Sequence, residues 1–344
     1  MIKVKILNPT KCRNEPTFRP LLFVKDMLRD YSIDITDSND YDFLFVGMKD
    51  FYDKNKSLKD STDWGLENLN KITENGDYFL FDGQDSTSLM GSYEVFEQSN
   101  AIYMFKNQTL NNREDYKTPY SLSKWFFGSD NECSVSYDIT KNKWDRIKLS
   151  GYNLGYLLPH YHDFQPVNNN KTIDMCAIYS ANHNYSEEHK FRNDLFYTKH
   201  RDGAWSILND MKNKYDVRTS KLPFKEYIRV LHNSKLSLSP FGMGEICFRD
   251  FECMQWGTLI VKPNMNMIRT TPNIYIEDET YISVKPDWSD LEEKTKKVLG
   301  NFTHYSYIVN NLREKFKEQY SLNNLCLHWY NIFKNLKSVE ESDE

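Results

Sequence analysis

Ser237-Leu-Ser-Pro-Phe-Gly-Met-Gly-Glu245-Ile-Cys-Phe-Arg249-Asp-Phe-Glu252-Cys-Met-Gln-Trp-Gly257-Thr-Leu-Ile-Val-Lys262-Pro263 reads as strand, glycine-containing loop, helix, glycine, strand and proline. On a 3.6-residue wheel, Glu245, Arg249 and Glu252 fall at i, i+4 and i+7 and share one face. Cys247, Phe251 and Met254 fall on the opposite face and suit packing against a sheet. The spacing predicts a helix over 245–255 between two parallel strands, the repeating unit of an α/β fold. Its polar stripe begins where the glycine loop enters the helix. There, free N–H groups and the positive dipole end suit a phosphate. Arg249 adds a planar fork of donors for diphosphate oxygens, and Glu252 can accept hydrogen bonds from ribose hydroxyls. Gly242 and Gly244 permit close approach of the backbone to a ligand. The same spacing also describes an exposed ion-paired helix face, worth about 0.3 kcal/mol.

Working outward, strand and helix patterns alternate. Upstream are a strand over Ile173 to Tyr179, helices over Gly203 to Lys214 and Phe224 to Asn233, and a strand over Lys235 to Ser239. Downstream are short strands over Asn273 to Ile276 and Tyr281 to Val284, then helices near Asp290 to Leu299 and Tyr305 to Leu336. The N-terminal half repeats the theme: strands over Ile2 to Leu7, Ile33 to Thr36, Tyr41 to Gly47, Tyr78 to Asp82 and Ile102 to Phe105, with helices over Leu21 to Leu28, Asp63 to Ile72 and Ser92 to Gln98. Residues 115–170 read as irregular, and Gln165-Pro166-Val167-Asn168-Asn169-Asn170 is the best linker by its turn chemistry. Two doubly wound domains are therefore expected, over 1–165 and 171–310, with 311–344 a C-terminal helix crossing back to the first. In such sheets ligands bind outside the carboxyl ends of the strands.

Composition narrows the classes. The 344 residues suit two domains. A net charge of −5 speaks against a dedicated duplex binder, although 44 Lys and Arg leave room for a local basic cleft. Cys12, Cys133, Cys176, Cys247, Cys253 and Cys326 show no metal-ligand or redox spacing, which fits reduced thiols in a cytoplasmic protein. No stretch is long and apolar enough for a membrane span, and the N-terminus is too short and charged for a signal peptide. Neither a dinucleotide-binding glycine fingerprint nor a P-loop occurs.

The pattern Ser-Pro-Phe-Gly, then Glu245, then Arg249-x-x-Glu252-x-Met254, then Gly257 and an apolar strand, resembles the donor-binding segment of GT-B glycosyltransferases. It is most similar to exostosin-like enzymes, and also resembles the phage DNA β-glucosyltransferase. The resemblance spans roughly 171–300. It implies an α/β GT-B architecture, with two Rossmann-like doubly wound domains facing across a cleft. It implies a nucleotide-sugar donor, most simply a UDP-sugar, with no metal or other cofactor required. By match, Arg249 would hold the diphosphate and Glu252 the ribose. Leu222, in Lys221-Leu222-Pro223-Phe224, would face the base through its backbone. Arg201 would be a second phosphate ligand, Lys199 a weaker one, and Gly244 would line the loop. Glu245 would touch the sugar or order that loop.

The acceptor domain is expected to carry the general base after the aromatic strand Tyr78 to Asp82, in Asp82-Gly83-Gln84-Asp85. Asp82 and Asp85 both qualify, and an Asx-turn at a strand end is the alternative for either. Gln84, Lys106 and Arg113 would line the acceptor side. A base there makes the enzyme inverting. A glycan or saccharide acceptor fits the acidic charge. A modified DNA base fits the phage-enzyme likeness and the Lys-, Asn- and Tyr-rich composition of an AT-rich viral genome, and would need a basic stripe such as Lys106, Arg113, Lys117 and Lys124. A non-catalytic carbohydrate- or nucleotide-binding protein is the reading of another class. Asp40-Tyr41-Asp42 is set aside as a metal motif, since the resemblance implies a diphosphate held by arginine and helix dipole and so short a motif is often a false positive. His160-Tyr161-His162 is set aside because no Cys, Asp or His partner stands at convincing range.

Overall fold

The alternation of strands and helices builds two large sheets, each all-parallel. The computed structural model describes residues 1–7, 18–48, 57–73, 77–118, 136–152, 163–179, 196–242 and 244–340. Lys124, His160-Tyr161-His162, Cys12 and Cys133 lie outside them. The chain divides into two units: Met1–Gly155 with Thr270–Pro272 and Gln319–Glu344, and Tyr156–Arg269 with Asn273–Glu318. No helix among the described residues is long and apolar enough to cross a membrane.

The first unit holds β1 (Ile2–Ile6), β2 (Ile33–Thr36), β3 (Phe43–Gly47), β4 (Asp77–Asp82), β5 (Tyr103–Lys106), a short β6 (Gln108–Leu110) and β7 (Ile147–Leu149). Its sheet runs β2-β1-β3-β4-β5-β7, every pair parallel. Helices Leu58–Ile72 and Ser92–Gln98 connect these strands. The first begins where the Ser57 hydroxyl accepts the Asp60 N–H at 3.1 Å, an N-cap. The core is aromatic. Phe45, Phe79, Phe81 and Phe105 come from alternate positions of β3, β4 and β5, and all are wholly or nearly wholly buried. Trp329 and Phe333 from the helix Leu322–Glu340 close over them, with Phe105 to Trp329 at 5.4 Å and Phe81 to Trp329 at 5.9 Å between ring centres.

The second unit holds β8 (Ile173–Cys176), β9 (Val217–Arg218), β10 (Ser234–Leu238), β11 (Leu259–Pro263), a short β12 (Ile268–Thr270) whose last residue belongs to the first unit, and β13 (Ile282–Val284). Its sheet runs β13-β11-β10-β8-β9, again parallel throughout. Its helices are Phe196–Met211, Phe224–Asn233, Phe248–Trp256, Leu291–Gly300 and Tyr307–Gln319. Met175, Leu236, Leu238, Leu259, Val261, Ile282 and Val284 make a buried aliphatic core, against which Leu208, Leu291 and Val298 pack. In both sheets the second strand of the sequence lies outside the first, and the third lies on the first strand's other side. That is a doubly wound order, with its switch point between β1 and β3 in one unit and between β8 and β10 in the other. The expected α/β class with two Rossmann-like units stands.

Four local expectations fail for local reasons. The helix expected over 245–255 starts only at Phe248, because Cys247 is its N-cap and Asp250 at the third helical position accepts the Cys247 N–H at 3.2 Å. The helix expected over Tyr305 to Leu336 breaks at Tyr320-Ser321, where the Ser321 hydroxyl accepts the Asn324 N–H at 3.1 Å and caps a new helix. Asn273 to Ile276 is not a strand. Asn273 Oδ1 takes the Tyr275 N–H at 3.0 Å and Thr280 Oγ1 takes the Ile276 N–H at 2.8 Å, so side chains satisfy the backbone in place of a ladder. Conversely β7 forms inside the stretch read as irregular, as the three-residue edge of the first sheet.

Candidate functional site

The carboxyl ends of β8 and β10 flank the switch point of the second unit, and two arginines meet there. Arg249, one residue inside the helix Phe248–Trp256, donates from Nη2 to the Ile178 carbonyl at 2.7 Å, just beyond β8. Arg201, on the helix Phe196–Met211, donates from Nε to the Phe241 carbonyl at 3.0 Å, just beyond β10. Both guanidinium carbons lie over the ring of Tyr179, at 5.7 Å for Arg249 and 5.9 Å for Arg201. The Arg249 Nε is buried and has no hydrogen-bond partner among the described residues. Burial works against the Arg249 charge, but Tyr227, Cys247 and Glu252 outweigh it and its pKa is raised. Two cations are thus held on one aromatic face, one of them with an unsatisfied donor. Such an arrangement is costly unless an anion completes it.

The loop between β10 and the helix is tied down from several sides. The Gly242 N–H donates to the Gly244 carbonyl at 2.9 Å. A side chain at Gly242 would come within 2.7 Å of Arg201 Nη2 and push the guanidinium aside. Phe241 N–H donates to His200 Nε2 at 3.3 Å, so His200 is the Nδ1–H tautomer, and Nδ1 donates to the Pro286 carbonyl at 3.1 Å. The His200 ring lies 4.4 Å from Trp288 and 5.4 Å from Phe241, centre to centre. Burial pushes its pKa down to about 3.

That last shift has a direct consequence for stability. An unfolded histidine titrates near 6.5, so between pH 6.5 and 3 the unfolded chain binds the proton and the folded chain does not. The stabilisation is complete above pH 6.5 and is lost as pH falls. From this residue alone the loss is about 2 kcal/mol at pH 5. His328, whose Nε2 donates to the Leu149 carbonyl at 2.8 Å, is also lowered by burial and adds in the same direction. Thermal unfolding at pH 7 and pH 5 is expected to show the drop, and His200→Gln to show a shallower one. Equal pH slopes for the two proteins would contradict this account.

Beneath the loop lies a buried polar hub that sequence reasoning missed. Asp250 is 2% exposed. It accepts the Ser239 hydroxyl at 2.5 Å, the Tyr275 hydroxyl at 2.8 Å and the Cys247 N–H at 3.2 Å, and pairs with Lys262 Nζ at 3.0 Å. Lys262 is wholly buried at the end of β11, under the rings of Phe241 and Tyr275. The hub joins the ends of β10 and β11 to the first turn of the helix. At the other end of that helix, Arg313 donates to the Met254 and Gln255 carbonyls at 2.7 and 2.9 Å and to Gln165 O at 2.8 Å. It caps the last turn before Gly257, which takes the left-handed conformation at φ 69°.

The remaining donor-side residues are placed as follows. Glu252 shares the helix with Arg249 and accepts the Tyr227 hydroxyl at 2.6 Å. Glu245 lies before the helix, not on it, and is wholly buried, so the three-residue stripe expected on one helical face does not exist. Gly244 is buried in the same loop. Leu222 is half-buried, directly before Pro223, which caps the helix Phe224–Asn233. Lys199 belongs to the Phe196–Met211 helix, its side chain outside the described ones.

In the first unit, Asp82 is wholly buried. It pairs with Lys106 Nζ at 2.6 Å and also accepts the Ser92 hydroxyl at 2.5 Å and the Gln84 N–H at 2.8 Å. Asp82 and Lys106 stand opposite one another in the β4–β5 register, and Lys106 also donates to the Ser88 carbonyl at 2.7 Å. A carboxylate so enclosed offers no oxygen to a substrate hydroxyl. Asp82 is an anchor of the loop 83–92, and Lys106 is its counter-ion, not an acceptor ligand. Gln84 is buried and donates to the Met90 carbonyl at 2.9 Å, its Oε1 having no partner among the described residues. Asp85 is exposed on the same loop, with its carbonyl accepting the Gln108 side chain at 2.5 Å. Arg113 donates to the Ile139 carbonyl at 2.9 Å and lies 3.3 Å from Glu114. Asp40 and Asp42 both bind Lys3, Asp42 accepting its N–H at 2.7 Å.

No family model matches this chain, and no curated protein does. Among solved structures it is similar to a sucrose-phosphate synthase from Thermosynechococcus elongatus, with 12% identity and a TM-score of 0.49 over 95% of this chain and 80% of that one. It is also similar to an α-glucosyltransferase in complex with UDP-glucose and DNA containing an abasic site, with 10% identity and a TM-score of 0.47 over 97% and 99%. A third is HepE from Anabaena in complex with UDP-glucose, with 11% identity and a TM-score of 0.47 over 98% and 100%.

Proposed function

We propose that this protein is a glycosyltransferase of GT-B architecture that takes a sugar from a nucleoside diphosphate donor, a UDP-sugar in the first instance. The observation that carries this reading is the pair Arg249 and Arg201 at the β8/β10 switch point, with the buried Arg249 Nε lacking a partner among the described residues. A diphosphate there would meet two guanidiniums and the N–H groups opening the Phe248–Trp256 helix. Glu252, nearly one turn further along, would take the ribose, and the backbone near Leu222 the base. Lys199 would add a further positive charge. The buried Glu245 would order the loop with Gly244. No metal is needed in this scheme, because the charge that develops on the leaving diphosphate is met by arginines and helix dipole.

The base is assigned to Asp85, since Asp82 is enclosed by Lys106. Asp85 removes the proton of an acceptor hydroxyl, and that oxygen forms a bond to the anomeric carbon. The bond from that carbon to the diphosphate oxygen breaks, its electron pair leaving with the nucleotide. One displacement inverts the anomeric centre. Gln84 and Arg113 would lie on the acceptor side. The acidic net charge favours a glycan or saccharide acceptor over DNA.

A panel of nucleotide sugars read by thermal stabilisation tests the donor half. At 100 times its dissociation constant the true donor adds about 2.7 kcal/mol. Asp85→Asn is expected to keep that stabilisation and lower transfer about 10²–10⁴-fold. Transfer unchanged in Asp85→Asn removes the base assignment, and no stabilisation by any nucleotide sugar removes the function.

A further inference from the structure

We propose that Tyr227 is a positioning residue that holds the Glu252 carboxylate for the ribose and thereby sets a preference for ribonucleotide over 2′-deoxyribonucleotide donors, an inference that rests on the nucleotide reading above. The phenol donates to Glu252 Oε2 at 2.6 Å. Both residues are nearly excluded from water, Tyr227 at 9% and Glu252 at 8% exposure. Burial pushes the Tyr227 phenol well up from its ordinary value, so it stays a proton donor at any working pH. The carboxylate also lies near the Arg249 guanidinium, whose pKa it helps to raise. Phenylalanine would pack the same space as Tyr227 without holding the carboxylate in place.

The pair also joins two elements. Tyr227 sits in the first turn of Phe224–Asn233, directly after the Leu222-Pro223 segment, and Glu252 sits one turn inside Phe248–Trp256, three residues beyond Arg249. A glutamate has three rotatable bonds, and one fixed hydrogen bond from a rigid ring removes most of that freedom before a ligand arrives. A carboxylate held in one plane discriminates between ligands that do and do not present a hydroxyl at the right place. One held loosely adapts to both.

The test is the affinity of UDP and of 2′-deoxy-UDP for the whole protein, measured by calorimetry on wild type, Tyr227→Phe and Tyr227→Met. A hydrogen bond to a charged group corresponds to a preference of about 10–100-fold for UDP in the wild type. Tyr227→Phe is expected to reduce that preference to about threefold through weaker UDP binding, leaving 2′-deoxy-UDP within about twofold of wild type. Tyr227→Met, which also removes the hydroxyl, is expected to lose the same preference and serves if the phenylalanine variant does not fold. A wild-type ratio retained in either folded variant, or equal weakening of both ligands, overturns the role of Tyr227 and leaves the nucleotide reading intact. Failure of the wild type to bind either nucleotide overturns both.

Discussion

Arg249→Met is expected to lower sugar transfer about 10²–10³-fold, as removal of one preorganised donor to a leaving oxyanion does, and to abolish stabilisation by UDP. The same change is expected to alter the stability of the ligand-free protein little, because removing an unsatisfied donor offsets the loss of the guanidinium near the buried Glu252. Arg249 carries a buried Nε without a partner among the described residues, and its Nη2 donates to a backbone carbonyl. An unsatisfied buried donor costs about 1–3 kcal/mol, which methionine of similar length would recover. Activity should therefore fall far more than stability, as it does where a site is kept ready for a ligand. Thermal midpoints with and without UDP, alongside a transfer assay, decide it. A variant that melts several degrees lower and still responds to UDP would show that Arg249 is only part of the scaffold.

The second large effect lies under the loop. Lys262→Met is expected to destabilise the second unit by about 3–5 kcal/mol, because it strands the Asp250 charge in a site with no access to water. Ser239, Tyr275 and the Cys247 N–H still donate to that carboxylate, yet none of them neutralises it. Lys262→Met combined with Asp250→Asn removes both charges and is expected to recover most of the loss, giving strong coupling in a double-mutant cycle. Denaturant unfolding of the four proteins measures it, and additive effects would mean that the pair is not the unit of stability.

How much of this the sequence discloses differs by level. The α/β class follows from apolar runs alternating with helical periodicity, and Arg249-x-x-Glu252 falls on one helix as its spacing requires. Glu245 was misplaced because periodicity alone cannot see a start signal. Asp250 three positions after Cys247 is such a signal, in an unusual form with cysteine at the cap. Ser321 ahead of Asn324 was a plainer one, and it explains the break in the last helix. The hub of Asp250 was hidden for a different reason. Its partners Ser239, Lys262 and Tyr275 come from strand and loop ends that only the sheet brings together. Asp82 misled in the same way: whether a strand-end carboxylate faces a substrate or a lysine depends on the residue opposite, and Lys106 is in register only once β4 and β5 are paired.

The aromatic packing of Trp329 and Phe333 against Phe45, Phe81 and Phe105 binds the two extremities of the chain into one core. During synthesis the N-terminal strands leave the ribosome long before the helix that covers them. Until it arrives, a row of phenylalanines stays open to self-association and to chaperones. Cutting after residue 155 would leave the same surface bare. An isolated version of this half would need the segment from 319 onward spliced back through a short tether.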